Sequence, residues 1–433
     1  FIFSPIMNCF PYFKDRLKSR KQSSAPELIT HGNSCSSSTN PVVKSSVSAS
    51  STRGVPELYD VKASNLRVFT FAELRNATNG FSRLFEIGEG GFGTVYKGLI
   101  KPADGRGERI VVAIKKLNSD GLQGHKEWIA EVQFLGVVDH LNLVKLIGYC
   151  AVNEERGIQR LLVYEFMPNH SLDDHLFNAA YPALPWQTRL QIALGAAQGL
   201  AYLHEELEVQ VIYRDFKASN VLLDKDFKPK LSDFGLAREG PTAGHTHVST
   251  AVMGTQGYAA PDYVETGHLT AKSDVWSFGV VLFEILTGRR SLERNRPSKE
   301  RKLLDWVKRF PPTSQRFNTI MDPRLEGQYS VSCARKMAVL AGSCLAKSSK
   351  ERPKMSEVAE RVRVLISDCD EDGPHKVDFE SDQIEMDDEG VKADQSEGSE
   401  SAKRRMAHLA KLGQHVGGMS RKGFMIMQRA KVN

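Results

Sequence analysis

Hydrophobic and polar positions change their period along the chain. From Phe85 to Val163, short apolar and β-branched runs recur. Ile110-Val111-Val112-Ala113-Ile114 and Leu161-Leu162-Val163-Tyr164 read as buried strands. One helical stretch interrupts them, around Lys126–Val137. From about Ser171 onward the period is helical, as in Trp186–Glu205 and Ser273–Leu286. A small strand-rich half followed by a larger helical half is an α+β pattern. Ahead of the strands, Thr70 is placed to cap a short helix, with Glu73 three residues on for a capping box. Phe71, Leu74 and Ala77 or Thr78 follow at helical spacing, and Asn79-Gly80 closes the segment.

Both ends differ from this middle. Residues 19–56 are rich in Ser, Thr, Asn and Pro, with too little apolar area to offset the entropy of ordering. Residues 368–400 carry fourteen acidic and two basic side chains, and 401–433 carry basic and no acidic ones, which favours solvated tails. The expected organisation is a disordered segment over 1–64, a folded region over 65–366 and a disordered tail over 367–433. Within the folded region, the smaller lobe is expected at about 81–164 and the larger at about 168–366.

Bulk composition narrows the picture only slightly. At 41% hydrophobic and 25% charged the chain is ordinary for a soluble protein. A formal net charge of +6 makes no case for nucleic acid as a partner. Cys9, Cys35, Cys150, Cys333, Cys344 and Cys369 lack paired spacing, which argues against a disulfide framework or a zinc site and fits a reducing compartment. The stretch Val280 to Leu286, apolar but for Glu284, is too short to span a membrane. The six residues before Met7 have no basic n-region and do not read as a signal peptide.

Candidate chemistry enters with the glycines. Gly88, Gly90 and Gly93 lie between two expected strands, where missing Cβ atoms let backbone N–H groups approach phosphate oxygens. A dinucleotide-binding turn would require a helix straight after the glycines, whereas Thr94-Val95-Tyr96-Lys97-Gly98 reads as a strand. A plain glycine-rich hairpin remains open until Lys115 is considered. Lys115 is an ionisable group inside an apolar strand and is costly to bury without an anion. Glu131, flanked by apolar Ile129, Val132 and Leu135, is the preferred helical partner, with Glu127 the nearest competitor. Further on, Asp215, Asn220 and Asp233 supply a carboxylate for a hydroxyl proton and hard oxygens for a divalent cation. Taken singly, Asp215 and Asp233-Phe234-Gly235 are equally readable as turns.

Taken in order, Gly88-Glu89-Gly90-Gly91-Phe92-Gly93, Val112-Ala113-Ile114-Lys115, Tyr213-Arg214-Asp215-Phe216-Lys217-Ala218-Ser219-Asn220, Asp233-Phe234-Gly235 and Ala260-Pro261-Asp262 resemble the protein kinase family. Gly121-Leu122-Gln123-Gly124-His125-Lys126-Glu127-Trp128 and Asn142-Leu143-Val144-Lys145-Leu146-Ile147-Gly148-Tyr149-Cys150 are more specific and resemble plant receptor-like cytoplasmic kinases. The resemblance covers roughly residues 65–366. It implies a bilobal α+β fold, ATP as phosphoryl donor, Mg2+ or Mn2+, protein substrates and an upstream receptor kinase. Gly88, Glu89, Gly90, Gly91, Phe92 and Gly93 would cover the phosphates, and Lys115 paired with Glu131 would position them. Val95, Ala113 and Leu222 would sandwich the adenine, beside Tyr164 as gatekeeper and a hinge at Glu165 and Met167. Asp215 would orient the substrate hydroxyl, Lys217 would contact the transferred phosphate, and Asn220 and Asp233 would ligate metal. Lys217 at this place favours serine and threonine over tyrosine as acceptor.

Departures from the family pattern carry their own expectations. Tyr213 replaces the usual histidine and should stack on Phe234. Asp262 replaces the usual glutamate, and its shorter reach is expected to weaken its buried pair with Arg352 and soften the larger lobe. Arg214 would gather a phosphate on the segment 233–262, with Ser249 and Thr250 as candidate sites and Thr255 as a structural partner of Asp215 and Lys217. Signalling beneath plant cell-surface receptors, immune or developmental, follows from the resemblance. A pseudokinase scaffold is the alternative. Cys9 among aromatic and basic residues suggests a reversible acyl anchor at the inner face of the plasma membrane, with cytoplasmic and nuclear fractions.

Overall fold

The computed structural model describes residues 66–372, apart from 91–92, 119–121, 155–156 and 243. The smaller lobe is built on a six-stranded sheet in the order β1-β5-β6-β4-β3-β2. Its strands are β1 (Arg67–Val68), β2 (Glu86–Gly90), β3 (Gly93–Ile100), β4 (Ile110–Leu117), β5 (Leu146–Glu154) and β6 (Gly157–Glu165). All pairings are antiparallel except β1 on β5. Helix α1 (Phe71–Ala77) is capped by the Thr70 side chain, which accepts from the Glu73 N–H. It seals one face of the sheet, where Leu74, Val112, Ile114, Leu161 and Val163 form a common core. This extension therefore belongs to the smaller lobe, which begins at Arg67 rather than near residue 81.

Alternation along β4 decides where Lys115 goes. Side chains of a strand point to opposite faces in turn. Val112 and Ile114 enter the α1-side core, so Ala113 and Lys115 face the other side, toward α2 (Leu122–Leu135). Ile110 and Val111, expected to be buried, are 46% and 38% exposed. They stand at the loop end of the β3–β4 hairpin, opposite Ile100 and Leu99.

The larger lobe is helical. Its elements include α3 (Leu172–Phe177), α4 (Trp186–Ala201), α5 (Pro261–Thr266), α6 (Ala271–Thr287), α7 (Leu303–Val307), α8 (Val331–Cys344) and α9 (Met355–Asp372). Helix α6 is buried along nearly its whole length, starting where the Thr270 N–H donates to Ser273 Oγ at 3.3 Å and stopping at Gly288 in the left-handed region. Helix α9 packs on α4, and α8 on α6. Short strands β7 (Val211–Ile212), β8 (Val221–Leu223) and β9 (Pro229–Leu231) frame the loops between the lobes.

Three expectations are corrected here. Helix α9 continues to Asp372, past the boundary set at 366, because Lys336 of α8 pairs with Asp368 at 2.6 Å and the buried Leu365 and Ile366 anchor the preceding turn. Asp262 reaches Arg352 at 2.6 Å, so the shorter side chain does not open that pair. The arginine is further held by the carbonyls of Ala346 and Lys272 at 2.9 and 3.0 Å. Finally, Cys333 and Cys369 meet with their sulfurs bonded and Cα atoms 6.0 Å apart. Packing of α8 against α9 makes this pair, which no local spacing announces. The expected tails over 1–64 and beyond 372, with Cys9, lie outside the described residues.

Candidate active site

Lys115 sits at the junction of the lobes. Its Nζ lies 2.6 Å from Glu131 Oε1 and 2.9 Å from Asp233 Oδ1. Glu127 is also buried, but Glu131 is the α2 carboxylate that reaches the lysine. Burial opposes the charge on Lys115, yet the carboxylates of Asp233 and Glu131 overcome it and raise its pKa. Burial pushes Glu131 up despite the pull of Lys115, whereas Asp233, although burial also opposes its charge, is held low mainly by Lys115. The second oxygen of Glu131 accepts a hydrogen bond from the hydroxyl of Tyr164. Tyr164 therefore both closes the site and holds the ion pair, a role that a purely adenine-facing reading missed.

The glycine turn follows from the sheet. Cβ atoms added at Gly88 and Gly90 would meet only ordinary contacts at 3.9 Å, leaving room above the strands. At Gly93 an added Cβ would lie 2.2 Å from the Lys116 carbonyl. Gly93 is thus required by the close approach of β3 to β4, not only by a phosphate. Glu89 stands in β2 opposite Thr94, while Gly91 and Phe92 lie outside the described residues. Val95 pairs with Lys115 and Ala113 with Tyr164 across the sheet. Leu222 comes from β8 in the other lobe and bridges to Ser171. At the expected hinge, the Glu165 N–H donates to the Lys145 carbonyl at 3.1 Å, and the Lys145 N–H donates to Glu165 Oε1 at 2.8 Å. Met167 is buried beside it.

The catalytic-loop residues form one connected set. Thr255 Oγ1 donates to Asp215 Oδ1 at 2.7 Å, and Lys217 Nζ donates to Thr255 Oγ1 at 3.1 Å. Lys217 also pairs with Asp215 Oδ2 at 2.8 Å. Burial works against the Lys217 charge, but Asp215 reverses this and raises its pKa. Asn220 Nδ2 donates to the Asp215 carbonyl at 3.0 Å, which fixes the amide and turns its oxygen end elsewhere. Tyr213 stacks edge-on against Phe234 at 5.0 Å and donates its hydroxyl to the Ser232 carbonyl. The expected stack is present, and the extra hydroxyl ties the loop to the segment carrying Asp233. Both Arg214 and Asp233 adopt positive φ, 76° and 60°, so backbone strain is concentrated here.

One residue that holds this loop escaped the sequence reading. Asp274, in the first turn of α6, accepts from the Tyr213 N–H at 2.8 Å, the Arg214 N–H at 2.7 Å and His204 Nε2 at 2.8 Å. The available signal was a carboxylate at the head of an otherwise apolar helix. It is also a common place for a simple helix-capping acid.

Among the described residues no three His, Cys, Asp or Glu side chains form a metal cage. The donor set of Asn220 and Asp233 instead suits a hard cation carried in with phosphates, as Mg2+ is bound. A groove of about 810 Å3 lies elsewhere, lined by Phe71, Arg75, Ala151 and Gln159 and by none of the candidate residues.

A family model for protein tyrosine and serine/threonine kinases matches residues 82–362. The chain belongs to the protein kinase family. It is 57% identical over 305 residues to serine/threonine-protein kinase PCRK1 of Arabidopsis thaliana, covering 70% of this chain and 73% of that protein. It is 51% identical over 366 residues to PCRK2 of the same plant, covering 83% and 87%. A Gossypium barbadense protein, named an EPD1-interacting receptor-like cytoplasmic serine/threonine-protein kinase, is 57% identical over 304 residues, covering 70% and 65%. These relatives place the kinase among plant receptor-like cytoplasmic serine/threonine kinases. Among the described residues no helix is long and apolar enough to cross a membrane.

Proposed function

We propose that the kinase transfers the γ-phosphoryl group of ATP to serine or threonine hydroxyls of protein substrates, through Asp215, Lys217, Lys115 and Glu131. The observation that carries this reading is the pair of clusters, Glu131–Lys115–Asp233 and Asp215–Lys217–Thr255, near enough to one another that the Lys217 charge helps hold the Asp233 carboxyl low.

Asp215 accepts the proton of the substrate hydroxyl as its oxygen attacks the γ-phosphorus and the bond to the ADP oxygen breaks. Thr255 and Lys217 hold the two carboxylate oxygens, so the base is oriented before substrate arrives. The Lys217 ammonium lies beside that base and offsets charge on the transferred group. Lys115, fixed by Glu131, presents its charge to the upstream phosphates. Asn220 and Asp233 would hold Mg2+, which supplies charge neutralisation when bound. Tyr213 and Asp262 remove no group from this set, so an active enzyme is favoured over a scaffold. A radiolabelled ATP assay on a generic protein substrate tests it: label on serine and threonine supports the reading, and none with Mg2+ present contradicts it.

The regulatory reading rests on Arg214. Its guanidinium donates to Tyr263 OH at 3.0 Å and to Thr250 Oγ1 at 3.1 Å, while its Nη1 is buried with no hydrogen-bond partner. A phosphate on Thr250 or the exposed Ser249 would bring charge to that nitrogen. The kinase acts, on this reading, beneath a plant cell-surface receptor kinase in immune or developmental signalling. Its place is the cytoplasm and the inner face of the plasma membrane, through an acyl chain on Cys9 and neighbouring basic residues. Fractionation of Cys9→Ser against wild type tests the anchor: an unchanged membrane pool contradicts it.

A further inference from the structure

Two cysteines that phosphoryl transfer does not use meet at the end of the larger lobe. Cys333 lies in the first turn of α8, where its N–H is capped by Ser330 Oγ at 3.2 Å. Cys369 lies in the last turn of α9. They are 36 residues apart in sequence, and their Cα atoms stand 6.0 Å apart, inside the range of roughly 4.4–6.8 Å that a disulfide bridges without backbone movement. Cys333 is buried and Cys369 is half-buried against the core, so the pair stands at the core's margin. Cys333 Sγ also lies 3.3 Å from the Leu365 carbonyl oxygen, which gives a reduced thiol its own acceptor. Both the bonded and the open state are therefore accommodated.

The other described cysteines contrast with this pair. Cys150 and Cys344 are fully buried. Burial pushes the Cys344 thiol up to about 12, which keeps it out of the reactive thiolate form. Beyond Ile366, α9 meets α8 at Cys369 and at the Lys336–Asp368 pair, whose side chains are 49% and 38% exposed. An exposed ion pair holds a helix end weakly. A covalent bond at Cys369 would hold it firmly.

We propose that Cys333 and Cys369 form a reversible thiol–disulfide pair, closed by a peroxide and opened by a low-molecular-weight thiol, that pins the end of α9 to α8. In the closing reaction the Cys369 sulfur attacks one peroxide oxygen, the O–O bond breaks, and a sulfenic acid and water form. The Cys333 sulfur then displaces the second oxygen as water, so two thiols lose two electrons and two protons and the peroxide is reduced to two waters. Two equivalents of a free thiol restore the open pair, leaving that thiol as its own disulfide. The cross-link fixes the end of α9. It does not touch Lys115, Asp215 or Asp233.

The test uses the full chain, purified reduced and exposed to a small excess of hydrogen peroxide. Alkylation followed by peptide mass spectrometry should find the Cys333 and Cys369 peptides joined and lighter by two hydrogens, and a reducing thiol should separate them. Closing a loop of this length should raise the melting temperature of the oxidised protein by on the order of 5 °C. Cys369→Ser and, independently, Cys333→Ala should each abolish both the cross-link and the shift. Higher oxidation of Cys369 without a joined peptide would overturn the proposal. So would a cross-link that leaves the melting temperature unchanged, because the end of α9 would then not be pinned by it.

Discussion

Replacing Tyr164 with Phe removes one hydroxyl and keeps the ring that faces the cleft. That hydroxyl donates to Glu131 Oε2, and Glu131 is fully buried. The other oxygen of Glu131 carries the 2.6 Å contact to Lys115. Loss of the donor leaves a buried, charged acceptor short of a partner, at a cost of about 1–3 kcal/mol. If that cost falls on the paired arrangement of α2 and β4, its population drops by a factor of about 5–150. The expected outcome is a fall in kcat/KM for ATP of roughly tenfold or more, with a melting temperature lower by about 2–8 °C. Burial already raises the pKa of Glu131, and the Tyr164 hydrogen bond works to lower it. Without that bond Glu131 rises further, so the defect should deepen as pH falls. ATP titrations across a pH series, with calorimetry on the same samples, measure both effects. A Tyr164→Phe protein equal to wild type in both would refute the reasoning and return Tyr164 to a simple wall of the cleft.

Other outcomes follow from buried groups. Glu284 accepts from Tyr258 OH at 2.7 Å and the Ser291 N–H at 2.8 Å, and burial pushes it up to about 8. The folded state thus keeps a proton that the unfolded state releases near its ordinary value of 4.5. This contribution is fully present below that value and is lost as pH rises toward about 8, on the order of a few kcal/mol. Glu284→Gln, which keeps an acceptor oxygen, should flatten the melting temperature against pH over that window, and an unchanged slope would count against it. Asp274→Ala leaves the buried N–H groups of Tyr213 and Arg214 unpaired and should cost about 3 kcal/mol or more in denaturant unfolding. Ser249→Ala combined with Thr250→Ala should lower activity, and mass spectrometry of a fully active wild type with both residues unmodified would contradict the phosphate-gathering role of Arg214.

Much of the site was legible because its chemistry conflicts with its surroundings. Lys115 in an apolar strand demanded anions, and β4 alternation turns it away from Val112 and Ile114 toward Glu131 and Asp233. The α+β order, strands first and helices after, was legible from the change of period, and the two lobes from the resemblance. What escaped depends on contacts far apart in sequence. Strand β1 has only two residues and exists through parallel pairing with Gly148 and Tyr149. Asp274 resembles an ordinary first-turn acid until three donors from the catalytic loop and His204 converge on it. The acidic run from Asp368 resembled a tail, but Lys336 and the apolar side of α9 extend the helix to Asp372. Gly93 looked like a phosphate glycine, and the tightest constraint on it is the Lys116 carbonyl.

The central claim is that one cleft, with Lys115 and Asp233 on one side and Asp215 on the other, performs phosphoryl transfer. The most direct measurement is incorporation of radiolabelled phosphate from ATP with Mg2+ by wild type, Lys115→Met and Asp233→Asn, each shown folded by its melting curve. Wild type should label serine and threonine, and each variant should lose on the order of 10²-fold or more. Comparable turnover in both folded variants would contradict the account.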